Sequence, residues 1–460
     1  MGLKDDKNDW NLYGHPERAV IVDKQVLETF GAVFDGMPSL GARMPEVHAQ
    51  VCVTLFEKML QNKTTIGDLP GFFCSQLMNE TAAIKNKWIE TAVGYPDQMS
   101  DFVYSGPNIW LANPFFKSAK YPCIEKSDYN LVDIGTHLTT DYIPRSKYKT
   151  TKKCFDSLPE FDTGVRYDYP YKIFARRRLN LSMERTLIST IVPQHTVQIH
   201  AVLGIYVSDY SALVSVAACL NTVIYDFYIK TYGKEDLYDN TISKLPIPFE
   251  KNMTPAMARV LALNAISSEF STLWSEVWTP DFLDVSWTKS DVRLDSDLFK
   301  TSSKWSSAYV ATNDYARRQL FVELDAYIAM LLGLSLNDLC SIYQLQFPVL
   351  QQYEHDTWYD TSGQIVFSNN KSLTNIGFSR PEFENPNVVT PIHRSDAPWD
   401  GIMKHAPAGY VFARTITDDT LPGGPVERTI EYHAPFDRCD REQDYETAWK
   451  FFEEKYGGQA

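Results

Sequence analysis

Apolar residues recur at helical spacing in several parts of the chain. The clearest pattern begins at Asp209, ends at Gly233 and has on one face Leu213, Val216, Leu220, Val223, Ile224 and Phe227. A second helix is predicted from Asn313, its cap, to Gly333, and a shorter one from Ser335 to Tyr343. Residues from about 254 to 347 are therefore predicted to be mostly helical.

Other segments favour strands and turns. The β-branched and aliphatic run from Thr186 to Val192, closed by Pro193, predicts a buried strand. Residues 104–153 are rich in turn formers, tyrosine and basic side chains, which fits short strands and loops. Two further helices are predicted, one that begins at Pro45, includes Leu60 and has Lys58 near its end, and one over residues 444–452.

These patterns predict an α+β fold with four parts. A helical N-terminal segment covers residues 1–100, and a mixed strand-and-helix region covers residues 101–250. A helical domain follows over residues 251–347, and a small mixed region over residues 348–460 ends the chain. At roughly 150 residues per domain, the 460 residues fit about three domains or two large ones.

Composition excludes several classes of protein. Aromatic residues reach 13%, which is too many for a largely disordered chain. No apolar run is long enough for a membrane helix, and the polar, acidic N-terminus has no signal-peptide pattern. The seven cysteines form no CxxC pair and no zinc-type spacing, so free thiols are expected. We therefore expect a cytoplasmic protein without a membrane partner.

Charge is distributed unevenly along the chain. The formal net charge is -14, which argues against simple electrostatic adhesion to DNA. From Phe115 to Arg185, however, 14 Lys and Arg stand against 9 Asp and Glu, whereas the rest of the chain has 30 against 49. A basic middle fits a protein that touches phosphates on one face, and chance clustering on a solvated surface fits equally well.

The sequence has no complete catalytic motif. A class I methyltransferase needs a Gly-rich turn after its first strand, and amino-group methylation needs a D/N/S-P-P-Y/F/W tetrad. The nearest match, Asn113-Pro114-Phe115-Phe116, lacks the second proline, so a Pro turn followed by a strand is the favoured interpretation. No Walker A, HExxH or GxSxG pattern occurs, and His195 and His200 have no third metal ligand nearby.

A dense polar cluster runs from Asp437 to Glu442. Its charge density would suit an active site, such as that of a nuclease, but an ion-pair network that holds the C-terminal helix is the favoured explanation. The Glu453-Glu454-Lys455 string fits a solvated helix surface.

Basic residues interleaved with tyrosine are the candidates for DNA contact. Residues 141–149 include four candidates, the basic residues Arg145, Lys147 and Lys149 and the tyrosine Tyr148. Four arginines lie before or at the start of the predicted strand, at Arg176, Arg177, Arg178 and Arg185. Arginine can reach guanine edges or phosphate, and lysine mostly contacts phosphate. The alternative is that residues 176–178 form ion pairs with Asp162, Asp168 and Glu184.

Several of these segments carry a family resemblance. A strand that opens with E-R-T-L-I precedes a helix with L-N-x-x-x-x-D-F, which here are Glu184 to Ile188, Leu220-Asn221 and Asp226-Phe227. Similar pieces occur at residues 105–107, 113–114, 142–145, 245–248, 323–326, 332–334, 343–348, 359–367 and 437–445. Their order resembles the target-recognition region of large adenine-specific DNA methyltransferases. These are the type IIG restriction–modification enzymes and the PglX-like proteins of BREX and DISARM phage defence.

This resemblance implies a function for the region over residues 101–250. It would recognise double-stranded DNA next to a catalytic methyltransferase subunit, and S-adenosylmethionine would be bound by that partner and not by this chain. The catalytic domain that precedes this region in the family is missing here, so a split subunit or a C-terminal fragment is expected. A scaffold or regulatory subunit of a defence complex, which binds other defence proteins without contacting DNA, is the alternative.

Overall fold

A computed structural model describes residues 19–457 except 48, 60, 126, 138–141, 371–372, 374–375, 380–381 and 383–402. Helices and short strands are mixed along the chain, which confirms the predicted α+β class. The α-helices are α1 Lys24–Phe30, α2 Gln50–Met59, α3 Glu80–Lys85, α4 Ile134–His137, α5 Lys152–Asp156, α6 Tyr210–Leu220, α7 Val223–Thr231, α8 Asp239–Ile242, α9 Thr254–Asn264, α10 Ser271–Val277, α11 Asp314–Leu331, α12 Leu336–Gln346, α13 Pro348–Asp356 and α14 Arg441–Tyr456. A π-helical turn, Gly31–Asp35, follows α1, and 3₁₀ turns lie at Ile66–Asp68, Met99–Asp101, Gly106–Asn108, Ser268–Phe270, Pro280–Asp284 and Ser307–Tyr309.

The strands are short and form small sheets. They are β1 Phe73–Ser75, β2 Ile89–Gly94, β3 Val103–Tyr104, β4 Lys117–Ala119, β5 Tyr129–Leu131, β6 Ser146–Thr150, β7 Lys172–Arg176, β8 Ser189–Val192, β9 Val197–Gln198, β10 Val202–Tyr206, β11 Trp358–Tyr359, β12 Ile365–Phe367, β13 Val411–Asp418 and β14 Val426–His433. The antiparallel order β1-β10-β7-β8 makes a four-stranded sheet. Strands β3 and β9 are parallel, and β2–β6, β4–β5, β11–β12 and β13–β14 are antiparallel pairs.

Helix starts follow the predicted caps closely. The side chains of Asp209, Asn313 and Ser335 each accept a hydrogen bond from a backbone N–H in the first turn of α6, α11 and α12. Gly233 and Gly333 lie just after α7 and α11 with φ of 65° and 77°, which is the left-handed conformation that often ends a helix.

The predicted helix from Asp209 to Gly233 is in fact two helices. It breaks at Asn221 and Thr222, and α6 and α7 are bent by 69° relative to each other. The Asn221 side chain donates to the carbonyl of Ala217, and the free N–H of Val223 donates to the Asp325 carboxylate at 2.8 Å. Because Asp325 lies on α11, about a hundred residues away, local periodicity could not reveal this break.

Two other predicted boundaries differ from the structure. Strand β8 begins only at Ser189, since the N–H groups of Thr186 and Leu187 donate to the side chain of Asp226 instead of to a neighbouring strand. Helix α2 begins at Gln50, later than the predicted start at Pro45.

The main hydrophobic core forms around α6, α7, α9 and α11. Its buried members extend from Val26 to Phe452 and include side chains from each of the four predicted parts. A separate cluster in the C-terminal part contains Trp358, Phe378, Phe412 and Tyr432 among others. The division into four parts remains a prediction. Within the described ranges, no single helix is long and apolar enough to span a membrane, and only the bent pair α6–α7 passes that test of length and composition.

Candidate nucleic-acid interface

Arg145 is buried, with about 7% of its surface exposed. Its guanidinium forms a bidentate pair with Asp419 at 3.0 and 3.1 Å and donates to the carbonyl of Ala119. The guanidinium also stacks over the ring of Tyr95. The hydrogen bond to Asp419 raises the pKa of Arg145. The guanidinium therefore ties residues 119 and 145 to the C-terminal part of the chain. Asp141, at the start of the same candidate segment, lies outside the described residues.

The remaining residues of that segment lie on strand β6, whose side chains alternate. Tyr148 points inward and donates its hydroxyl to Glu80, and burial raises its pKa. Lys149 points outward and is exposed, while Lys147 on the same face is half-buried beside the Tyr148 ring. Alternation along a strand therefore leaves the two lysines, and not the tyrosine, available to a ligand.

The three consecutive arginines differ in their surroundings. Arg176 donates to the carbonyls of Gly106 and Ile109 at 2.9 and 2.8 Å and stacks over Trp110, and burial lowers its pKa to about 10. Arg177 pairs with Asp236 at 3.2 Å. Arg178 is 67% exposed and pairs with Glu235, which is itself exposed. The ion pairs thus involve residues 235 and 236, and not the acids 162, 168 and 184 considered from the sequence.

Arg185 is part of a buried polar network. Its Nε donates to Asp226 at 2.6 Å, and Nη2 donates to the carbonyl of Asn221. The same carboxylate accepts from the backbone N–H groups of Thr186 and Leu187. These residues are almost completely buried, so Arg185 holds the start of α7 against the segment before β8.

The polar cluster near the C-terminus forms ion pairs, as the favoured explanation predicted. Arg441 lies 3.5 Å from Glu354 and 3.7 Å from Asp325, and Asp437 pairs with Arg293. The Tyr445 hydroxyl donates to Asp325 at 2.7 Å. These contacts fix α14 against α11 and α13.

A cluster of exposed lysines surrounds the β2–β6 ribbon, and sequence reasoning found only part of it. We call it the lysine patch, and its members are Lys85, Lys87, Lys149, Lys152 and Lys153. Thr151 connects the segment with Lys85 and Lys87 to the segment with the other three lysines. Its N–H donates to the carbonyl of Trp88, and its hydroxyl donates to the carbonyl of Lys87. In the strand register of the ribbon, Lys149 lies opposite Glu90. Among the described residues, no carboxylate lies within 4 Å of a patch ammonium group.

A signal for Lys152 and Lys153 was present in the sequence, since they directly follow the candidate segment. Lys85 and Lys87 were missed because more than sixty residues separate them from Thr151, and only strand pairing brings them together.

The near-match to the methylation tetrad has a structural role. The Asn113 side chain accepts from the N–H of Phe115 at 3.0 Å, which makes a local turn, and Phe116 stacks on Trp110 at 5.0 Å. This agrees with the favoured Pro-turn interpretation. In the described part of the chain, no group of three or more His, Cys, Asp or Glu is placed to hold a metal ion.

No protein-family model matches the chain, and no match to a curated protein was found.

Proposed function

We propose that this chain is the DNA target-recognition subunit of a split site-specific adenine methyltransferase in a restriction or phage-defence system. A partner chain would bind S-adenosylmethionine and transfer the methyl group. The motif order described above supports this proposal, as does the lack of a complete methyl-transfer motif in the sequence.

The lysine patch is the observation that carries the DNA-binding part of the proposal. Five exposed ammonium groups surround one antiparallel ribbon, and a two-stranded ribbon is narrow enough to enter the major groove of B-DNA. Phosphate contacts release condensed counterions, so a local cluster can drive binding although the whole chain is acidic. Lys147 and Arg178 would extend the contact surface. Arg145, Tyr148, Arg176 and Arg185 would support it from within the fold.

The test is a salt titration of duplex binding by fluorescence anisotropy. The variant has all five patch lysines changed to Ala. The control has alanine at five exposed lysines elsewhere, namely Lys63, Lys251, Lys300, Lys304 and Lys450. Both variants lose the same charge, so a non-specific effect of net charge changes them equally. We expect the patch variant alone to bind more weakly, with a salt slope reduced by about one unit per lost phosphate contact. Equal weakening of both variants would remove the patch assignment.

The partner is tested by purifying the tagged chain from its native host and identifying what co-purifies. A partner with the Gly-rich and D/N-P-P-Y motifs, and adenine methylation only when both chains are present, would support the split enzyme. The scaffold or regulatory alternative is favoured by the burial of Arg145 and Arg185 in ion pairs. It predicts no DNA binding with or without partners.

A further inference from the structure

A cavity of about 400 Å³ lies where the start of α11 faces the Trp110–Phe116 loop and the β13–β14 hairpin. Its size is in the range that small-molecule sites usually have. Its wall includes Phe116, Asp314, Arg317, Ile416 and Tyr432. None of these residues belongs to the lysine patch, and the proposed DNA contact does not use them.

Most of the charges in the wall neutralise one another. Arg428 bridges Asp133 and Asp418 at 3.0 and 3.1 Å, and Asp419 is paired with Arg145. The two that form no close ion pair within the described residues are Asp314 and Arg317, which lie one helical turn apart and only partly offset each other's charge. Among the described residues, neither has an oppositely charged group within 4 Å.

Asp314 offers an acceptor to the cavity. One carboxylate oxygen, Oδ2, accepts from the N–H of Ile365 at 3.0 Å, and the part of the chain that the structure describes gives Oδ1 no hydrogen bond. Burial raises the pKa of Asp314 to about 6, so the group is mostly ionised near pH 7.5. An ionised carboxylate can accept hydrogen bonds but cannot donate them.

Arg317 offers donors one helical turn away. Its Nη1 donates to the carbonyls of Leu263 and Ala311 at 2.8 and 3.2 Å, and Nη2 donates to that of Ala112 at 3.2 Å. A guanidinium has five N–H groups, so Nε and one hydrogen of Nη2 have no acceptor among the described residues and are available to a ligand. The cavity thus presents an acceptor beside donors, between walls that include Phe116, Phe321 and Tyr432.

We propose that this cavity binds a nucleobase that carries an amino group beside a ring nitrogen, as cytosine and adenine do. The amino group donates to Asp314, the ring nitrogen accepts from Arg317, and the flat base lies against the apolar walls. The four aspartates of the wall face Arg317, Arg428 and the Arg145 that pairs with Asp419, and the remaining negative charge disfavours a phosphate inside the cavity. The ligand is therefore a nucleoside or a base extruded from DNA. Binding of an extruded base rests on the proposed DNA binding, whereas binding of a free nucleoside does not.

Free nucleosides test the cavity without DNA. Isothermal calorimetry at pH 7.5 with cytidine and adenosine should give saturable binding. The matched ligands N4,N4-dimethylcytidine and N6,N6-dimethyladenosine, which lack the amino donor, should bind at least about tenfold more weakly, as expected for one lost charge-assisted hydrogen bond. Adenosine monophosphate should also bind more weakly than adenosine.

Two variants locate the binding. Asp314→Asn removes the ionised acceptor, and Ile416→Trp fills the cavity from the hairpin side without changing a polar group. Both should lose nucleoside binding. The control Thr415→Val lies beside Ile416 on an exposed position of β13 and should bind normally.

A duplex with one 2-aminopurine then distinguishes the two sources. If the fluorescence of 2-aminopurine rises when the duplex binds, and Ile416→Trp abolishes this rise, the ligand is an extruded base. This conclusion holds even if free nucleosides do not bind. Nucleoside binding without such a rise identifies a free nucleoside. Absence of both signals would overturn the cavity proposal but not the lysine patch, whose test is duplex affinity.

Discussion

Arg185 and Asp226 form a buried ion pair at 2.6 Å although 41 residues separate them in the chain. They belong to two of the sequence pieces on which the predicted family resemblance rests, E-R-T-L-I and L-N-x-x-x-x-D-F. Asn221, in the second piece, accepts from the same guanidinium. In this structure both pieces therefore hold the strand–helix unit together, and the residues that we propose for DNA contact lie elsewhere.

We predict that Asp226→Asn destabilises the protein by about 3–5 kcal/mol, because it removes the carboxylate that is hydrogen-bonded to the buried Arg185 guanidinium and leaves only the more distant charges of Glu184 and Asp325. Urea unfolding followed by circular dichroism measures this loss. Arg178→Ala is the control, and as an exposed pair it should change stability by less than about 0.5 kcal/mol. If Arg185→Ala keeps full stability but loses duplex affinity, Arg185 contacts DNA and the structural role is wrong.

Local signals in the sequence were sufficient for the helix starts but not for the interface. Asp209, Asn313 and Ser335 cap their own helices, so residues within one turn determine these starts. By contrast, the partner of Arg145 is 274 residues away, and no nearby residue indicates that its guanidinium will be buried. Of the eight candidates, Lys149 and Arg178 are exposed while Arg145, Tyr148 and Arg185 are buried, a difference that depends on contacts between residues far apart in the sequence.

The arginines at positions 176 and 178 should respond differently to alanine substitution. Arg176→Ala removes two partly buried hydrogen bonds to loop carbonyls and the contact with Trp110, so we expect a loss of about 2 kcal/mol in unfolding free energy. Arg178→Ala should leave stability unchanged and lower the salt slope of duplex binding by about one unit. Thermal unfolding and anisotropy on both variants check this. The reverse pattern would place Arg176 at the DNA.

Gly363 allows a close approach between the β11–β12 turn and the start of α11. Its φ is +87°, and a Cβ there would lie 2.6 Å from the Asn313 side chain that caps α11. We predict that Gly363→Ala costs about 2–4 kcal/mol, from the backbone strain and the displaced cap together. Gly164 is the matched control, because it also has a positive φ, of +76°, but no atom of the described residues lies within 4 Å of its Cβ position. Gly164→Ala should cost only about 1 kcal/mol. Equal losses in chemical denaturation would mean that the contact with Asn313 has no effect.

Asp314→Asn should stabilise the protein without its ligand, which is the opposite sign to Asp226→Asn. Burial raises the folded-state pKa of Asp314 to about 6, above its ordinary value of 3.8. Between these values the folded state binds the proton more tightly than the unfolded state, so this group's contribution to stability falls as pH rises from about 4 to 6 and stays low above that. Asparagine keeps an acceptor for the Ile365 N–H and carries no charge.

The gain in unfolding free energy should therefore be near zero at pH 4 and about 1–2 kcal/mol at pH 7.5, after allowance for partial exposure. Urea titrations of both proteins across this range measure the difference. A variant that is less stable than the parent at pH 7.5 would show that the carboxylate is compensated within the fold. A more stable variant that no longer binds nucleosides would show that the charge of Asp314 serves the ligand at a cost to the fold. The substitution would then have relieved an uncompensated carboxylate and, at the same time, removed the ionised acceptor for the amino group of the ligand.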